Sequence, residues 1–263
     1  MTGWAFSFVI SFGLAYIRFG KSPHFTIRMH LFYQPDSVSY LSEDDSRHAV
    51  KTLRLGVGEI IAVTDGHGNQ YTAVITQADV RRCGFRITET HSTPGRPFSI
   101  RICVAPTKNL DRIEWFVEKA VEVGIERISF FFGQHSERRV LKLERLEKIA
   151  IAAMKQSLQS FLPRLDEAVP FGELIRTIDE EERFIAHLPS LDSPANEPVI
   201  NLAKVAVANR RYAVLIGPEG DFSETELKLA ASAGFQMVTL GTNRLRTETA
   251  ALTACQLLNF IHA

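Results

Sequence analysis

The chain has 263 residues, 45% hydrophobic and 23% charged, with 30 basic and 30 acidic side chains and a formal net charge of zero. This is the composition of a folded globular protein of one large or two modest domains. It excludes a disordered chain and a global polycation, so any nucleic-acid surface must be a local patch. Cys83, Cys103 and Cys255 are scattered and odd in number. They match no zinc or redox spacing, so no metal is expected and a reducing, cytoplasmic setting is the simplest context.

In chain order, Trp4 to Ile17 is a nearly uncharged apolar stretch. It is shorter than the ~20 residues that span a bilayer. It has neither the basic start nor the small-residue cleavage site of a signal peptide. Two readings stand: a membrane anchor or signal, or an extension that is no part of the fold. From Met29 to about Pro97 the pattern is β. His30 to Tyr33, Glu59 to Thr64, Gln70 to Gln77 and Cys83 to Thr90 are short runs rich in Val, Ile, Thr and aromatics, with turn signals such as Asp65 to Asn69 between them. One helix fits around Asp44 to Leu53. Such short strands in so small a unit predict a barrel. His48, Lys51 and Arg54 can share one face of that helix by their spacing. That face is either a phosphate contact or an ordinary solvated surface.

Thr93 to Pro97 reads as a linker. Strands are then expected at Ser99 to Ala105, Ile128 to Phe132 and Phe184 to His187, with helices at Arg112 to Val123, ended by Gly124, and Leu143 to Leu158. Asp192 to Pro198 is a loop. Alternating strands and helices predict a parallel, helix-covered sheet.

Tyr212 to Ile216 and Gln236 to Leu240 are strand-like, and each runs into a loop that leads to a helix. The loops are Gly217-Pro218-Glu219-Gly220-Asp221 and Gly241 to Thr247. Ser223 and Glu226 form a capping box, so a helix starts at about Glu224, and Gly234 ends it. Thr247 is the expected cap of the last helix, with Glu248 favourable at its positive end. Ala250, Ala251, Ala254, Leu257, Leu258 and Ile261 give that helix a buried face. Ligands of open α/β sheets bind outside the carboxyl ends of the strands, so two adjacent loops at that edge suggest a binding site. Neither GxxxxGK[ST] nor GxGxxG is present, which argues against a nucleotide phosphate. The bland alternatives are a plain strand-to-helix turn for GPEG, a solvated pair for Arg244 and Arg246, and dipole compensation for Glu248.

GPEG, then LG, then LRTETA resembles the knot loops of the RsmE-type 16S rRNA uridine-N3 methyltransferases, members of the SPOUT superfamily. The resemblance runs from MHLFYQPD at Met29 through KNLDRIEWFVEKAVEVG at Lys108, SERR at Ser136 and AAMKQS at Ala152. Asp221 stands where the family often has Gly, Lys155 where Glu is frequent, and Thr242-Asn243 where Pro-Arg is frequent. The resemblance implies three parts: an extension over 1–28 from a misplaced start, a PUA-like RNA-binding barrel over 29–97, and a SPOUT domain over 98–263 with a C-terminal trefoil knot. It implies S-adenosylmethionine as cofactor, held by Ile216, Gly217, Pro218, Glu219, Gly220, Leu240, Gly241, Leu245, Arg246, Thr247, Glu248 and Thr249. It further implies a homodimer, 16S rRNA of the small ribosomal subunit as substrate, and Lys108, Arg138 and Arg139 as RNA contacts beside His48, Lys51 and Arg54.

Uracil N3 is a poor nucleophile until it loses its proton. Arg246 is the candidate cation that favours the uridinate. Glu219 or water is the candidate base. A cysteine nucleophile is unnecessary. The alternatives are another SPOUT methyltransferase, acting on ribose 2′-OH or a tRNA base, and a non-catalytic RNA-binding assembly factor, against which the intact cofactor loops argue.

Overall fold

The computed structural model describes residues 29–36, 39–187 and 200–263. The expectations for 1–28 and for the Asp192 to Pro198 loop lie outside the described residues. The chain forms two compact units. One runs up to Gly95 and also takes Met154–Phe161; the other comprises Arg96–Ala153 and Leu162–Ala263.

In the first unit β1 (Leu31–Tyr33), β2 (Ile60–Thr64), β3 (Asn69–Gln77) and β4 (Gly84–Ser92) form one sheet in that order. β1 and β2 are parallel and the other pairs antiparallel. Ile61 and Val63, and Ala73 and Ile75, are buried at alternate positions, as one covered face requires. They pack with Phe32, Leu41, Ala49 and Phe85. A four-stranded sheet stands where a barrel was expected. Among the described residues the ladder does not return from β4 to β1, and Tyr40 bridges Gly84 instead.

The first helix, α1 (Glu43–Arg47), is capped by Ser42, whose hydroxyl accepts from Asp45 N–H. Ser46 Oγ accepts from Cys83 N–H at 2.9 Å and fixes α1 to the start of β4. The helix then widens into a π turn over His48–Thr52, and Arg54 follows at φ +58°. His48, Lys51 and Arg54 therefore do not share a helix face. The π turn changes the angular step between residues, and the helix ends before Arg54. All three are exposed. Gly68, at φ +103°, donates its N–H to Ser160 O at 2.9 Å, and the Phe161 ring lies only 2.6 Å from where a Cβ would sit. Lys155 pairs with Asp45 at 2.9 Å, so its departure from the family's Glu has a structural use within this unit.

The second unit holds a seven-stranded sheet: β5 (Ser99–Val104), β6 (Arg127–Phe132), β7 (Arg164–Pro170), β8 (Glu182–Ala186), β9 (Ile200–Asn201), β10 (Arg211–Ile216) and β11 (Gln236–Thr239). The order is β7-β6-β5-β10-β8-β11-β9, and every ladder is parallel. The helices are α2 (Leu110–Val123), α3 (Leu143–Gln156), α4 (Phe171–Arg176), α5 (Leu202–Val205), α6 (Glu224–Ser232) and α7 (Thr247–Phe260). β7 and α4 have no counterpart in the sequence expectations, because β7 is an edge strand whose charges mask its period. The chain builds outward from β5 through β6 to β7, then places its remaining strands on the other side. The order thus reverses between β5 and β10. From Tyr212 to Ile216 β10 is wholly buried, as a strand covered on both faces must be. The capping box at Ser223 and Glu226 is formed, and Gly234 follows the α6 cap at φ +81°.

The last helix differs from expectation at its start. Arg246 occupies the cap position without a capping side chain, and Thr247 is the first helical residue. Its hydroxyl donates to Gly217 O at 3.1 Å instead. Ala251, Ala254 and Leu258 are buried as expected, whereas Ala250, Leu257 and Ile261 are half-buried and Cys255 joins the core.

Across β5, β6 and β7 a polar cluster lies inside the fold. Arg101, 2% exposed, donates to Ser129 Oγ at 2.8 Å and to Glu180 Oε1 at 3.3 Å. Asp166 accepts from Arg127 Nε at 2.6 Å and Arg164 Nε at 2.8 Å. Burial pushes the Asp166 carboxyl up, but the bonds from Arg127 and Ser129 and the charges of Arg127 and Arg164 outweigh it and hold the group below its usual 3.8. A carboxyl depressed in the fold contributes stability above its unfolded value and loses it as pH falls through the folded value. Asp166→Asn should therefore cost roughly 1–3 kcal/mol at neutral pH. It should also flatten the acid limb of a thermal-stability profile between about pH 5 and pH 2. An unchanged acid limb would remove Asp166 from that account.

Candidate functional site

The loops after β5, β6, β10 and β11 leave the carboxyl ends of their strands, where the strand order reverses and parallel sheets bind ligands. The β10 loop is shaped from below by Phe222. That ring is buried and packs with Phe131 and Phe171. A Cβ on Gly217 would lie 3.0 Å from the Phe222 ring, and one on Gly220 would lie 2.9 Å from His135 Cβ. Both glycines are therefore required by close packing. Between them Pro218 O accepts from Asp221 N–H at 2.9 Å and closes a tight turn.

Asp221 explains its own departure from the family. It sits at φ +62°, the left-handed conformation that favours Gly and that Asp tolerates better than most residues. Its carboxylate accepts from Phe222 N–H at 2.8 Å and lies 2.9 Å from His187 Nδ1. Burial pushes this carboxyl up. The close His187 ring, the Phe222 N–H bond and the nearby Arg244 charge outweigh burial and hold it below its usual 3.8.

Several sequence-predicted residues converge here. Ile216 is the buried end of β10, and Gly217 O receives the Thr247 hydroxyl, so the loops after β10 and β11 are tied together. Glu219 is exposed, and its Oε1 accepts from Lys108 N–H at 3.0 Å. Gly241, at φ +149°, donates its N–H to Thr239 Oγ1 at 3.2 Å, and Leu240 and Leu245 beside it are half-buried. Glu248 is buried, with Oε1 3.9 Å from Arg112 Nε, and its Oε2 has no hydrogen-bond partner among the described residues. Arg246 is exposed, and its guanidinium has no ion-pair partner among them. Thr249 is also exposed and makes no side-chain bond to the loops.

Arg138 Nε donates to Lys108 O at 3.1 Å, and Lys108 Nζ pairs with Glu137 at 2.8 Å. With Arg139 these residues line a cleft of about 300 Å³. His48, Lys51 and Arg54 belong to the first unit. His135, His187 and Arg112 were missed by sequence reasoning. His187 is the last residue of the strand expected at Phe184 to His187, one position past the observed end of β8 at the same sheet edge, which is the signal that could have found it.

No helix among the described residues is long and apolar enough to cross a membrane. None of their His, Cys, Asp and Glu side chains form a group of three or more that could hold a metal.

A parallel sheet with a switch point and two stitched loops at its carboxyl edge defines a ligand-binding α/β enzyme. A family model described as an RNA methyltransferase domain matches residues 94–259, and one described as an RNA methyltransferase PUA domain matches residues 41–87. The first covers more than half of the sequence: the chain belongs to the RNA methyltransferase family. It is similar to the ribosomal RNA small subunit methyltransferase E of Aquifex aeolicus, 28% identical over 237 residues, which cover 88% of this chain and 99% of the relative. It is similar in structure to a probable rRNA-methyltransferase from Porphyromonas gingivalis, with TM-score 0.81, 38% identity and coverage of 89% of this chain and 100% of that one. A ribosomal RNA small subunit methyltransferase E from Neisseria gonorrhoeae, bound to S-adenosyl methionine, matches with TM-score 0.77 and 28% identity over 89% of this chain and 98% of that one. The resemblance read from the GPEG, LG and LRTETA motifs is borne out.

Asp221 offers a direct test of the loop geometry. Asp221→Ala loses the carboxylate bonds and places Ala at positive φ, whereas Asp221→Gly loses only the bonds. Chemical denaturation should find the Ala variant less stable by about 1 kcal/mol or more. Equal stabilities would show that the left-handed backbone at this position carries no cost.

Proposed function

We propose that this chain is a cytoplasmic, homodimeric enzyme that transfers a methyl group from S-adenosylmethionine to N3 of one uridine in the 16S rRNA of the small ribosomal subunit. The observation that carries this reading is the Thr247–Gly217 hydrogen bond, which joins the GPEG loop and the LRTETA turn into one cradle. The names of the Aquifex aeolicus and Neisseria gonorrhoeae relatives, and the cofactor in the latter's structure, support it. The route of β10 through α6 to β11, which passes over β8, supports the knotted fold. Phe260 on α7, 72% exposed, supports a dimer contact along that helix. The PUA match over 41–87 supports an RNA-binding role for residues 29–97, and the RNA methyltransferase match over 94–259 supports catalysis in 98–263.

The residues present fit the cofactor. Gly220 is exposed and Gly217 half-buried, so no side chain on either obstructs the peptide groups of the β10 loop. The orphaned, buried Glu248 Oε2 is an acceptor suited to a cationic, donor-bearing molecule. Gly217, Pro218, Gly220, Leu240, Gly241, Leu245 and the first turn of α7 at Thr247 to Thr249 would hold it. When bound, the cofactor supplies an electrophilic methyl on a sulfonium.

The protein must then fix uracil N3 in line and favour its deprotonated form. Arg246, exposed beside the cradle and free of carboxylate partners among the described residues, is the cation that stabilises charge on the uracil oxygens. Water takes the N3 proton in this reading, because Glu219 already commits an oxygen to Lys108 N–H.

Unmodified small subunits incubated with the full chain and S-adenosylmethionine should gain one methyl group on a uridine, read by mass spectrometry of digested rRNA. Methylation of ribose, or none, would sink the proposal. Arg246→Ala should keep most cofactor affinity and lose roughly 10²–10³ in single-turnover rate. Raising pH should partly restore it, since alkali ionises N3 unaided. A collapse of cofactor affinity instead would make Arg246 a binding residue. Reversing Lys51 and Arg54 to Glu should weaken subunit binding and flatten its salt dependence; an unaltered slope would move the RNA patch elsewhere.

A further inference from the structure

The cleft lined by Lys108, Arg138 and Arg139 and the cofactor loop are joined by more than proximity. The Lys108 residue is held on both sides by side chains. Glu219 of the β10 loop accepts its N–H at 3.0 Å, and Arg138 of the β6 loop donates to its carbonyl at 3.1 Å. The β6 loop is stitched to the β10 loop and its helix at two further points. Gln134 N–H donates to Glu226 Oε1 at 2.8 Å, and His135 Nδ1 lies 3.1 Å from Asp221 O. A Cβ on Gly220 would touch His135. Any shift of the β10 loop therefore moves the basic cleft. Lys108 Nζ is paired with Glu137 at 2.8 Å, both side chains being exposed, so an incoming phosphate has only a weak solvated ion pair to displace.

We propose that Glu219 is a positioning residue that couples cofactor binding to the capture of an RNA backbone phosphate by Lys108, Arg138 and Arg139. This rests on the reading given under Proposed function. Cofactor that orders the β10 loop sets Lys108 through Glu219, and Lys108 sets the Arg138 guanidinium through its carbonyl. Linkage makes the effect reciprocal: each ligand tightens the other by the same factor. The geometry also separates backbone from side chain. The Lys108 peptide groups transmit the coupling, while the Lys108 ammonium only adds affinity for phosphate.

The test is the affinity of the full chain for unmethylated small ribosomal subunits, with and without saturating S-adenosylhomocysteine. Wild type should bind about five-fold or more tightly with the cofactor product present. Glu219→Ala should bring that ratio to one. Glu219→Gln should keep it, because an amide oxygen still accepts the Lys108 N–H. Lys108→Ala should weaken binding equally in both states and leave the ratio intact. Where Glu219→Ala fails to fold, as judged by its thermal melt, Arg138→Ala cuts the same strut at the carbonyl and should also lose the ratio. A wild-type ratio of one, or a ratio that survives both cuts, overturns the proposal. So does a Glu219→Gln variant that loses the ratio, since acceptance of the Lys108 N–H would then not be what carries the coupling. Failure of the underlying reading shows separately, as absence of methyl transfer to the subunit by wild type.

Discussion

The position of β10 governs the carboxyl edge. It lies between β5 and β8, buried on both faces, and delivers Gly217 to the place where the strand order turns back. The Phe222 ring, wedged among Phe131 and Phe171, then decides what the loop can be. It crowds any side chain at Gly217, and the turn through Pro218 directs Asp221 toward His187. Thr247 closes the arrangement from thirty residues away in sequence. The cradle is thus an outcome of core packing, with hydrogen bonds fixing details that hydrophobic burial has already placed.

Much of this was legible in the amino-acid order. The all-apolar run before Gly217, the Ser223–Glu226 pair and the Gly at 234 each act locally, and each appears where its residues dictate. What could not be read were features fixed by partners distant in sequence. Thr247 has the chemistry of a helix cap, but the Gly217 carbonyl competes for its hydroxyl. β7 carries Arg164, Asp166 and Glu167, which hide a strand from any apolar period, yet its Asp166 completes a cluster with Arg127 and Ser129. The π turn at His48–Thr52 leaves no mark that spacing rules detect, and it moves Arg54 off the expected face.

The candidate site shows the same division. The motif residues at Gly217, Glu219 and Glu248 were found because loops after strands are informative. Their partners were not. Lys108 meets Glu219 through a main-chain N–H, a contact to which side-chain identity gives no clue. His187 gains significance only from Asp221, and Asp221 only from the sign of its φ.

The membership of Met154–Phe161 in the first unit has a consequence for how this polypeptide is made. Ser160 supplies the acceptor for Gly68, and the Phe161 ring covers the same glycine. A ribosome that has released only the first ninety-odd residues has therefore not yet delivered everything this unit needs. The nascent sheet must wait until more than sixty further residues emerge, by which time β5, α2 and β6 are also available. The two units are discontinuous in sequence, so excising the residues up to Gly95 alone leaves the first unit without its Met154–Phe161 segment.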